Sequence, residues 1–319
     1  MNADELRQAV EKGIITEEQA RKLAQGENAE NGEQLRFIRS FGDFFIAIGV
    51  LIVAFAAHAM TQSQMGYFGW AAAFVLMAEF LVKRKRLVLP GMVILITILS
   101  LLQSALDYAL QTEFGSPQAW VAMAAASAAF YWRYRLPFAV MTIVVSVAAG
   151  IFASILDSGF SSQTYSIVLV LLGVIVFGIG VWFDSQDLLR QTRYSDTAFW
   201  LHLAAAPMMT HGVMFTYIIA TESFGGLLPV LFYLLFFSMA MIVDRRALVV
   251  SGMGYMLVTL VINAVDFDLL SASNFVWIFV GLGFAAILLG VYWYRVRSIA
   301  FSWVAQTPIA RFVPPFESS

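Results

Sequence analysis

The stretch Arg84–Asp107, RKRLVLPGMVILITILSLLQSALD, decides the fold class of this chain. It opens with three basic residues, continues almost entirely with apolar residues, and ends on an acid. A helix needs about 20 mostly apolar residues to cross the hydrocarbon core of a bilayer, and this stretch supplies them. The sequence therefore predicts a transmembrane helix here, with its basic end in the cytoplasm.

Two further stretches share this layout. They are RYRLPFAVMTIVVSVAAGIFASILD, which ends at Asp157, and DRRALVVSGMGYMLVTLVINAVD, which ends at Asp266. The repetition predicts a duplicated helical hairpin, stacked several times along the chain. The alternative, favoured because the match is mostly one of charge placement, is that every helix running from inside to outside has bases at one end and an acid at the other.

The composition of the whole chain agrees with a membrane protein. Of its 319 residues, 60% are hydrophobic and 13% are charged, against roughly 25% charged in ordinary globular domains. Residues 1–40 hold 14 of the 40 charged residues, so a short polar segment precedes a very apolar body. Such a body has too little polar surface to cover a soluble core. The absence of cysteine excludes a disulfide scaffold, and the net charge of −2 excludes a basic protein that coats nucleic acid.

We predict an all-α polytopic membrane helix bundle of about ten transmembrane helices. The predicted segments are roughly 42–60, 66–82, 87–110, 118–132, 136–156, 164–183, 197–220, 224–243, 247–265 and 274–294. Three regions follow, namely a cytoplasmic two-helix hairpin with its linker (1–34), a transmembrane domain (35–297) and a cytoplasmic or interfacial tail (298–319).

The basic residues predict the orientation of these segments. All 19 Lys and Arg residues lie before the first segment or after an even-numbered one, and the loops after odd-numbered segments contain none. Because cytoplasmic loops are enriched in Lys and Arg, both termini are expected in the cytoplasm. The sequence thus predicts a multi-pass protein of the bacterial inner membrane, with the lipid bilayer as its first partner.

The N-terminal residues predict a small helical hairpin. Asn2 and Glu5 form a capping box, and Gly13 ends the helix that follows. A second box at Thr16 opens another helix, which Gly26 closes. Two such short helices are not stable alone. Residues 1–26 are therefore expected to pack on a protein partner, on the membrane surface, or on a second copy in a homo-oligomer.

The hairpin carries a family resemblance. Its stretch ELRQAVEKGIITEEQARKLAQ, Glu5–Gln25, resembles the opening of a large family of bacterial multi-pass membrane proteins known as a domain of unknown function. Gly49, near the centre of the first apolar segment, also matches that family, and Asp196–Phe215 is similar to a recurring stretch in related proteins. The resemblance implies a membrane bundle but no activity, cofactor or catalytic residue.

The seventh segment contains the most unusual candidates for a ligand or proton pathway, namely His202, Pro207 and His211. Ionisable side chains inside a membrane are costly, so each calls for a functional interpretation. An ideal helix puts the two histidines on opposite faces, although Pro207 is expected to kink it. Met208 and Met214 share a face with His211 and suit Cu(I), but structural roles are commoner for such residues. We predict no metal and no cofactor.

The remaining pathway candidates are polar residues near helix ends: Glu79, Gln103, Asp107, Asn263 and Asp266. Gln103, Ser104 and Asp107 lie on neighbouring turns and predict a polar vestibule. Asn263 with Asp266 forms a similar pair. The commoner alternative is that such acids simply solvate helix ends.

Local ion pairs are the simplest expectation for other charges near the cytoplasmic ends. Glu79 is placed to pair with Lys83 one turn later, which we favour over a transport carboxylate. Asp244 is expected to pair with its neighbour Arg245.

The sequence favours two functions. It lacks the G-x-S-x-G, H-E-x-x-H and P-loop motifs, so we do not expect an enzyme. Ten helices with both ends inside favour a small-solute permease or carrier, by analogy of topology. The alternative is a non-transport scaffold, sensor or assembly factor that acts through the N-terminal hairpin. A cavity at mid-depth lined by His202, His211 or Gln103 would favour the carrier, and a solid bundle would favour the alternative.

Overall fold

The computed structural model describes residues 3–17, 20, 40–110, 115–156, 158–221, 227–246, 248, 249, 253, 254, 257 and 272–316. Within these ranges the regular structure is helical and includes no strand, which confirms the predicted all-α class. Most of the ninth predicted segment lies outside the described residues. So do the polar linker and two of the pathway candidates, Asn263 and Asp266.

Ten described α-helices follow the order of the predicted elements. They are α1 (Ala3–Glu11), α2 (Phe41–Met60), α3 (Gln64–Ala78), α4 (Val88–Leu110), α5 (Pro117–Tyr134), α6 (Phe138–Leu156), α7 (Ser162–Ser185), α8 (Arg193–Thr221), α9 (Leu227–Val243) and α10 (Ala272–Phe301). A π-helical turn, Glu79–Arg84, continues α3, and the short 3-10 helices Ser302–Gln306 and Pro308–Phe312 follow α10. Helices α2 to α9 correspond to the first eight predicted segments, and α10 corresponds to the tenth.

Six of the described helices are long and apolar enough to cross a membrane. They are α2, α3 with its π-helical turn, α4, α6, α7, and the last helix from Phe279 onward. Helix α9 is equally apolar but only 17 residues long. Helices α5 and α8 are not among the six: α5 is 18 residues rich in Ala, and α8 opens with Arg193 and carries two histidines and a proline. The structure therefore supports a membrane protein. Among its described helices, six have the length and apolar composition of a transmembrane span, against ten predicted segments.

Two kinds of helix end recur along the chain. Where α2, α3, α5 and α7 begin, a serine accepts a hydrogen bond from a backbone N–H of the first turn, which satisfies one of the open donors there. These serines are Ser40, Ser63, Ser116 and Ser161. Arg86 and Arg135 instead have φ of 57° and 53°, in the left-handed region, directly before the leucine that leads into the next helix. Both occupy the same position in two of the repeated phrases.

The first part of the bundle packs α4 against its neighbours. Helix α4 contacts α2, α3, α5 and α6, and its buried residues include Ile94, Leu95 and Leu101. Their side chains join Phe74 of α3 and Phe130 of α5 in one apolar core. In contrast, α2 exposes large side chains along most of its length, as expected of a helix that faces lipid.

Helices α7 and α8 form the closest helix pair. Gly173 and Gly180 of α7, with Gly212 of α8, let the two backbones approach. A β-carbon on Gly173 would lie 2.9 Å from the backbone nitrogen of Met209, and one on Gly212 would lie 2.9 Å from the carbonyl oxygen of Ser166. Small residues are the usual means of close helix approach in membranes.

The last helix continues further than predicted, and one of its side chains is hydrogen-bonded to the tail. Helix α10 runs to Phe301 through a break at Tyr292, where φ and ψ are −102° and 19°. The buried Arg297 donates hydrogen bonds to the carbonyls of Met241 and Ile242 at the end of α9. It also donates to the carbonyls of Pro314 and Pro315. One guanidinium therefore joins α9, α10 and the tail.

We expect Gly173→Ala to lower the free energy of unfolding in detergent by about 1–3 kcal/mol, because its new methyl must push the α8 backbone away. Gly178→Ala on the same helix is the matched control, since nothing lies within 4 Å of its β-carbon position. The control should be neutral or slightly stabilising, because Gly is a poor helix former. Equal destabilisation by both variants would contradict this account of the α7–α8 contact.

Candidate functional site

A cavity of about 330 Å³ lies between α4, α5 and α6. Its polar side chains come from two of the three helices. They are Ser100, Gln103 and Ser104 of α4, and Thr142 and Ser146 of α6. Volumes of this size are typical of small-molecule sites, which combine a mainly apolar wall with a few placed polar groups.

The wall of the cavity is otherwise apolar and carries no charge. Trp120 and Met123 of α5 and Met141 of α6 line it, and none of its described lining residues is Lys, Arg, Asp or Glu. Ile96 and Val145 also line it, although 53% and 39% of their surfaces remain exposed. The cavity therefore reaches the apolar outer surface of the bundle between α4 and α6.

Gln103 is the most constrained polar residue in the cavity. Only 3% of its surface is exposed. Its Nε2 donates a hydrogen bond of 2.7 Å to Oδ1 of Asp107, one turn later. Its Oε1 is buried and has no hydrogen-bond partner in the structure. An unpaired buried acceptor costs about 1–3 kcal/mol.

The hydroxyl of Ser100 is held by a histidine outside the cavity. His58 of α2 lies with Nδ1 3.4 Å from the carbonyl oxygen of Ala54, and with Nε2 3.0 Å from Oγ of Ser100. Because a carbonyl oxygen only accepts, Nδ1 carries the proton in the neutral ring, and Nε2 accepts from the Ser100 hydroxyl. His58 was not among the residues predicted to form a ligand or proton pathway.

A second polar cluster is buried at the far end of α7. Oδ2 of Asp184 accepts from Nε2 of His202 at 2.9 Å and from Nε of Arg245 at 3.1 Å. A second Arg245 nitrogen, Nη2, donates to Oδ1 of the same carboxylate. Arg245 also donates to the carbonyl and hydroxyl oxygens of Ser195, both at 3.0 Å. Asp184, His202 and Arg245 are each almost wholly buried.

A neighbouring pair extends this cluster. Arg190 and Asp244 lie 3.0 Å apart and are both buried. Trp293 of α10 donates its indole N–H to Asp244. We define the ion-pair network as the five residues Asp184, Arg190, His202, Asp244 and Arg245. It connects the ends of α7, α8 and α9.

The loop after α7 is held in place by one carboxylate. Asp187 accepts hydrogen bonds from the backbone N–H groups of Gln191 and Thr192, at 3.0 and 2.7 Å. It also accepts from the Thr192 hydroxyl at 2.7 Å. Burial alone would raise the pKa of the Asp187 carboxyl, but these hydrogen bonds outweigh it and hold the pKa below its usual range. The loop that presents Arg190 is thus held by hydrogen bonds separate from the Arg190–Asp244 pair.

The ion-pair network suits a structural role. It contains two carboxylates and two guanidinium groups, so it is electrically balanced when His202 is neutral. Buried charges are tolerated only when they are paired and hydrogen-bonded, and these are. Gly180 leaves room for the imidazole, because a β-carbon there would lie 2.9 Å from Cε1 of His202. The arrangement joins the helix ends through paired charges.

The structure separates the predicted pathway candidates. Gln103 lines the cavity and bonds Asp107, which is not among the described residues that line it. His202 belongs to the ion-pair network and does not line the cavity. His211 is exposed and stacks on Phe215, with ring centroids 5.9 Å apart.

Two expected local pairs are replaced by pairs between helices. Glu79 binds Arg133 at 2.8 Å and Tyr134 at 2.9 Å, both on α5, instead of Lys83. Asp244 pairs with Arg190, and its neighbour Arg245 pairs with Asp184. The expected local pairs did not form because each acid has a better-placed basic partner on another part of the bundle than its neighbour in sequence.

Pro207, the remaining candidate of the seventh segment, lies within α8, and the helix continues through it.

Sequence reasoning missed Asp184 and Arg245 as buried partners. The sequence predicts Arg245 as a loop base paired with Asp244, and Asp184 lies one residue past the predicted sixth segment. The signal available in the sequence was chemical, because an acid at one helix end and a histidine in the next segment need a cation when both are buried.

Among the described residues, no group of three or more His, Cys, Asp or Glu side chains is placed to hold a metal ion. No protein-family model, curated protein or solved structure matches the chain.

We expect Asp184→Asn to lower the free energy of unfolding by about 3–5 kcal/mol, because it leaves the charge of Arg245 buried without its carboxylate. Glu79→Gln is the control, since about a third or more of each side chain in its pair with Arg133 is exposed and such pairs contribute at most about 1 kcal/mol.

A double variant tests whether the charges of Asp184 and Arg245 depend on each other. The double variant Asp184→Asn with Arg245→Gln should lose less stability than the sum of the single variants, because neither charge is then left alone. Strict additivity, measured by denaturant titration in detergent, would show that the two charges do not depend on each other.

Proposed function

We propose that this chain is a small-solute permease or carrier of the bacterial inner membrane, and that the cavity between α4, α5 and α6 holds the solute. The single observation that carries the proposal is a cavity of about 330 Å³ whose mainly apolar wall holds polar side chains from two helices. Such a cavity is the usual setting of a small-molecule site, whereas a solid scaffold has no need of one.

The depth of the cavity supports the proposal. Helix α4 runs from Val88 to Leu110, so Leu99 is its midpoint, about 17 Å from either end at 1.5 Å per residue. Leu99 and the next residue, Ser100, both line the cavity. Transport proteins typically bind their substrates near the middle of the bilayer, where both sides can be reached alternately.

The proposed topology has about ten membrane-crossing segments and both termini in the cytoplasm. It is supported by the alternation of the 19 basic residues between loops. Four turns on the basic side, at Arg86, Arg135, Arg190 and Asp244, share a left-handed backbone conformation. This similarity favours repeated hairpins, and we also propose membership in the resembled domain-of-unknown-function family.

The alternative function is a scaffold, sensor or assembly factor that acts through the N-terminal hairpin. One observation favours it. Helix α1 ends at Glu11, Gly13 follows with φ of 66°, and the next residue, Ile14, leaves 71% of its surface exposed. An exposed branched aliphatic side chain in a polar segment is suited to contact a protein partner or a second copy.

The chain allows a direct test of topology, because it contains no cysteine and any introduced one is unique. We expect a membrane-impermeant maleimide to label Gln62→Cys and Ser158→Cys in right-side-out vesicles. Lys85→Cys and Gln191→Cys should be labelled only after the membrane is opened. All four positions are exposed, so accessibility to the reagent differs only by side. Labelling of all four from one side would overturn the topology.

The carrier proposal is tested by a solute screen on the purified full chain. We expect at least one small solute to raise the melting temperature of the wild type by a few degrees, because a ligand stabilises the state that binds it. Ser146→Leu, which fills the cavity, should abolish this shift. Thr97→Val is the matched control, since Thr97 is buried on α4, bonds only the carbonyl of Val93, and does not line the cavity.

The alternative makes the opposite prediction in cells. For a carrier, uptake or export of the identified solute should survive deletion of residues 1–34 and be lost in Ser146→Leu at equal membrane levels. A phenotype that needs residues 1–34, and is indifferent to Ser146→Leu, would favour the scaffold over the carrier.

A further inference from the structure

We propose that the basic end of the bundle binds the headgroup of an anionic phospholipid. The site is the basic patch, which we define as seven exposed residues: Lys83, Arg84, Lys85, Arg86, Arg133, Arg135 and Arg193. The proposal concerns this surface alone and does not depend on whether the cavity holds a solute.

Contacts between helix ends bring the basic patch together. Nζ of Lys83, in the π-helical turn after α3, donates to the carbonyl oxygen of Arg133 at 3.5 Å. Nη1 of Arg193, the first residue of α8, donates to the carbonyl oxygen of Arg135 at 3.2 Å. Bases that are far apart in the sequence therefore lie on one surface, formed by the ends of α3, α5 and α8.

Close packing beneath the basic patch holds these helix ends in position. Val82 and Leu136 are buried, and a β-carbon on Gly91 of α4 would lie 2.9 Å and 3.6 Å from their side chains. At the start of α6, Phe138 packs edge-on against Trp200 of α8, with ring centroids 4.8 Å apart. The positions of the bases are therefore set by the packing of several helices.

Most of the charge of the basic patch is not neutralised by the protein. In the described part of the chain, Arg133 is the only member that pairs with a carboxylate, which is that of Glu79. Arg190 and Arg245, in contrast, are buried, and each has a carboxylate partner. The fold thus neutralises the bases that it buries and leaves the basic patch available to an external anion.

An apolar surface leads directly to the basic patch. Leu76 and Phe80, two turns and one turn before the basic run, leave 72% and 51% of their surfaces exposed. Trp132 leaves 75% exposed, and tryptophan is enriched at the level of lipid headgroups. Nζ of Lys85 lies 5.7 Å from the ring centroid of Phe80, so its stem covers apolar surface while its charge lies at the edge.

This combination of surfaces fits an anionic phospholipid. Guanidinium and ammonium groups bind phosphate oxygens through charge-assisted hydrogen bonds, and the acyl chains can lie along Leu76 and Phe80. Clustered bases at the end of a transmembrane helix are a typical setting for anionic headgroups. A nucleic acid would use the same charges but would gain nothing from the exposed apolar side chains beside them.

A fluorophore on a unique cysteine can report which lipid occupies this surface. Leu76→Cys places it where the acyl chains are expected. Ile179→Cys on α7 is the matched control, because it is exposed at a similar distance from its helix end, and Arg190, the next base along the chain, is buried. Each full-length variant is reconstituted in phosphatidylcholine vesicles that contain brominated phosphatidylglycerol or brominated phosphatidylcholine. A brominated chain quenches the fluorophore when the two are in contact.

We expect phosphatidylglycerol to associate about tenfold more strongly than phosphatidylcholine at Leu76→Cys, and the two lipids to associate equally at Ile179→Cys. Raising the salt concentration from about 0.05 M to about 0.5 M should weaken the preference, because salt screens exposed charges. This measurement needs no change in the basic patch, so it remains decisive if a substituted protein inserts poorly.

Paired substitutions assign the preference to the basic patch. Arg84→Gln with Lys85→Gln should reduce it to about twofold or less, because each base near the membrane surface adds to the attraction. The exchange Arg84→Lys with Lys85→Arg keeps both charges and should preserve it. Arg295→Gln with Arg311→Gln removes two exposed bases outside the basic patch and should also leave it unchanged.

Three results would overturn the proposal. Equal quenching by the two lipids at Leu76→Cys would leave orientation of the helices as the only role of the bases. A preference of the same size at Ile179→Cys would show a general attraction of the protein for anionic lipid. A preference that survives Arg84→Gln with Lys85→Gln would place its source elsewhere. None of these results bears on the solute cavity.

Discussion

The structure depends on one constraint, which is that hydrocarbon supplies no hydrogen-bond partners. Every polar group that enters the apolar body must be satisfied by the protein, by trapped water or by a ligand. Asp184 meets this requirement completely, through His202 and Arg245. Gln103 meets it only in part, because its amide nitrogen is bonded to Asp107 and its oxygen is left open.

The two polar regions therefore have opposite characters. The ion-pair network is balanced in charge and joins three helix ends, so it holds these helices in a fixed arrangement. The cavity has a flexible, apolar wall with uncharged polar groups, so it can receive a solute at little electrostatic cost. A carrier needs both properties, because a solute must bind and be released while the surrounding helices keep their order.

The sequence predicted features that depend on residues close together in the chain. Helix type, most helix bounds, and the Gln103–Asp107 contact all follow from spacing within one segment. Contacts between helices were harder to predict: Glu79 and Asp244 both have charged sequence neighbours, yet pair with Arg133 and Arg190. Which helices lie side by side is set by packing, and an apolar pattern that is nearly the same on every segment holds little information about it. For the same reason His202 was identified as unusual, but its role was not.

The pairing of Asp184 with Arg245 also constrains how the protein is made. The two residues are separated by 61 positions, with all of α8 and α9 between them. When the ribosome has produced α7, Arg245 has not yet been synthesised. An α7 helix alone in lipid would then have the Asp184 carboxylate without this partner. Arg190 likewise waits for Asp244. The contacts that bury Asp184 and Arg190 therefore form only after α8 and α9 have been synthesised, so the end of α7 reaches its final surroundings late.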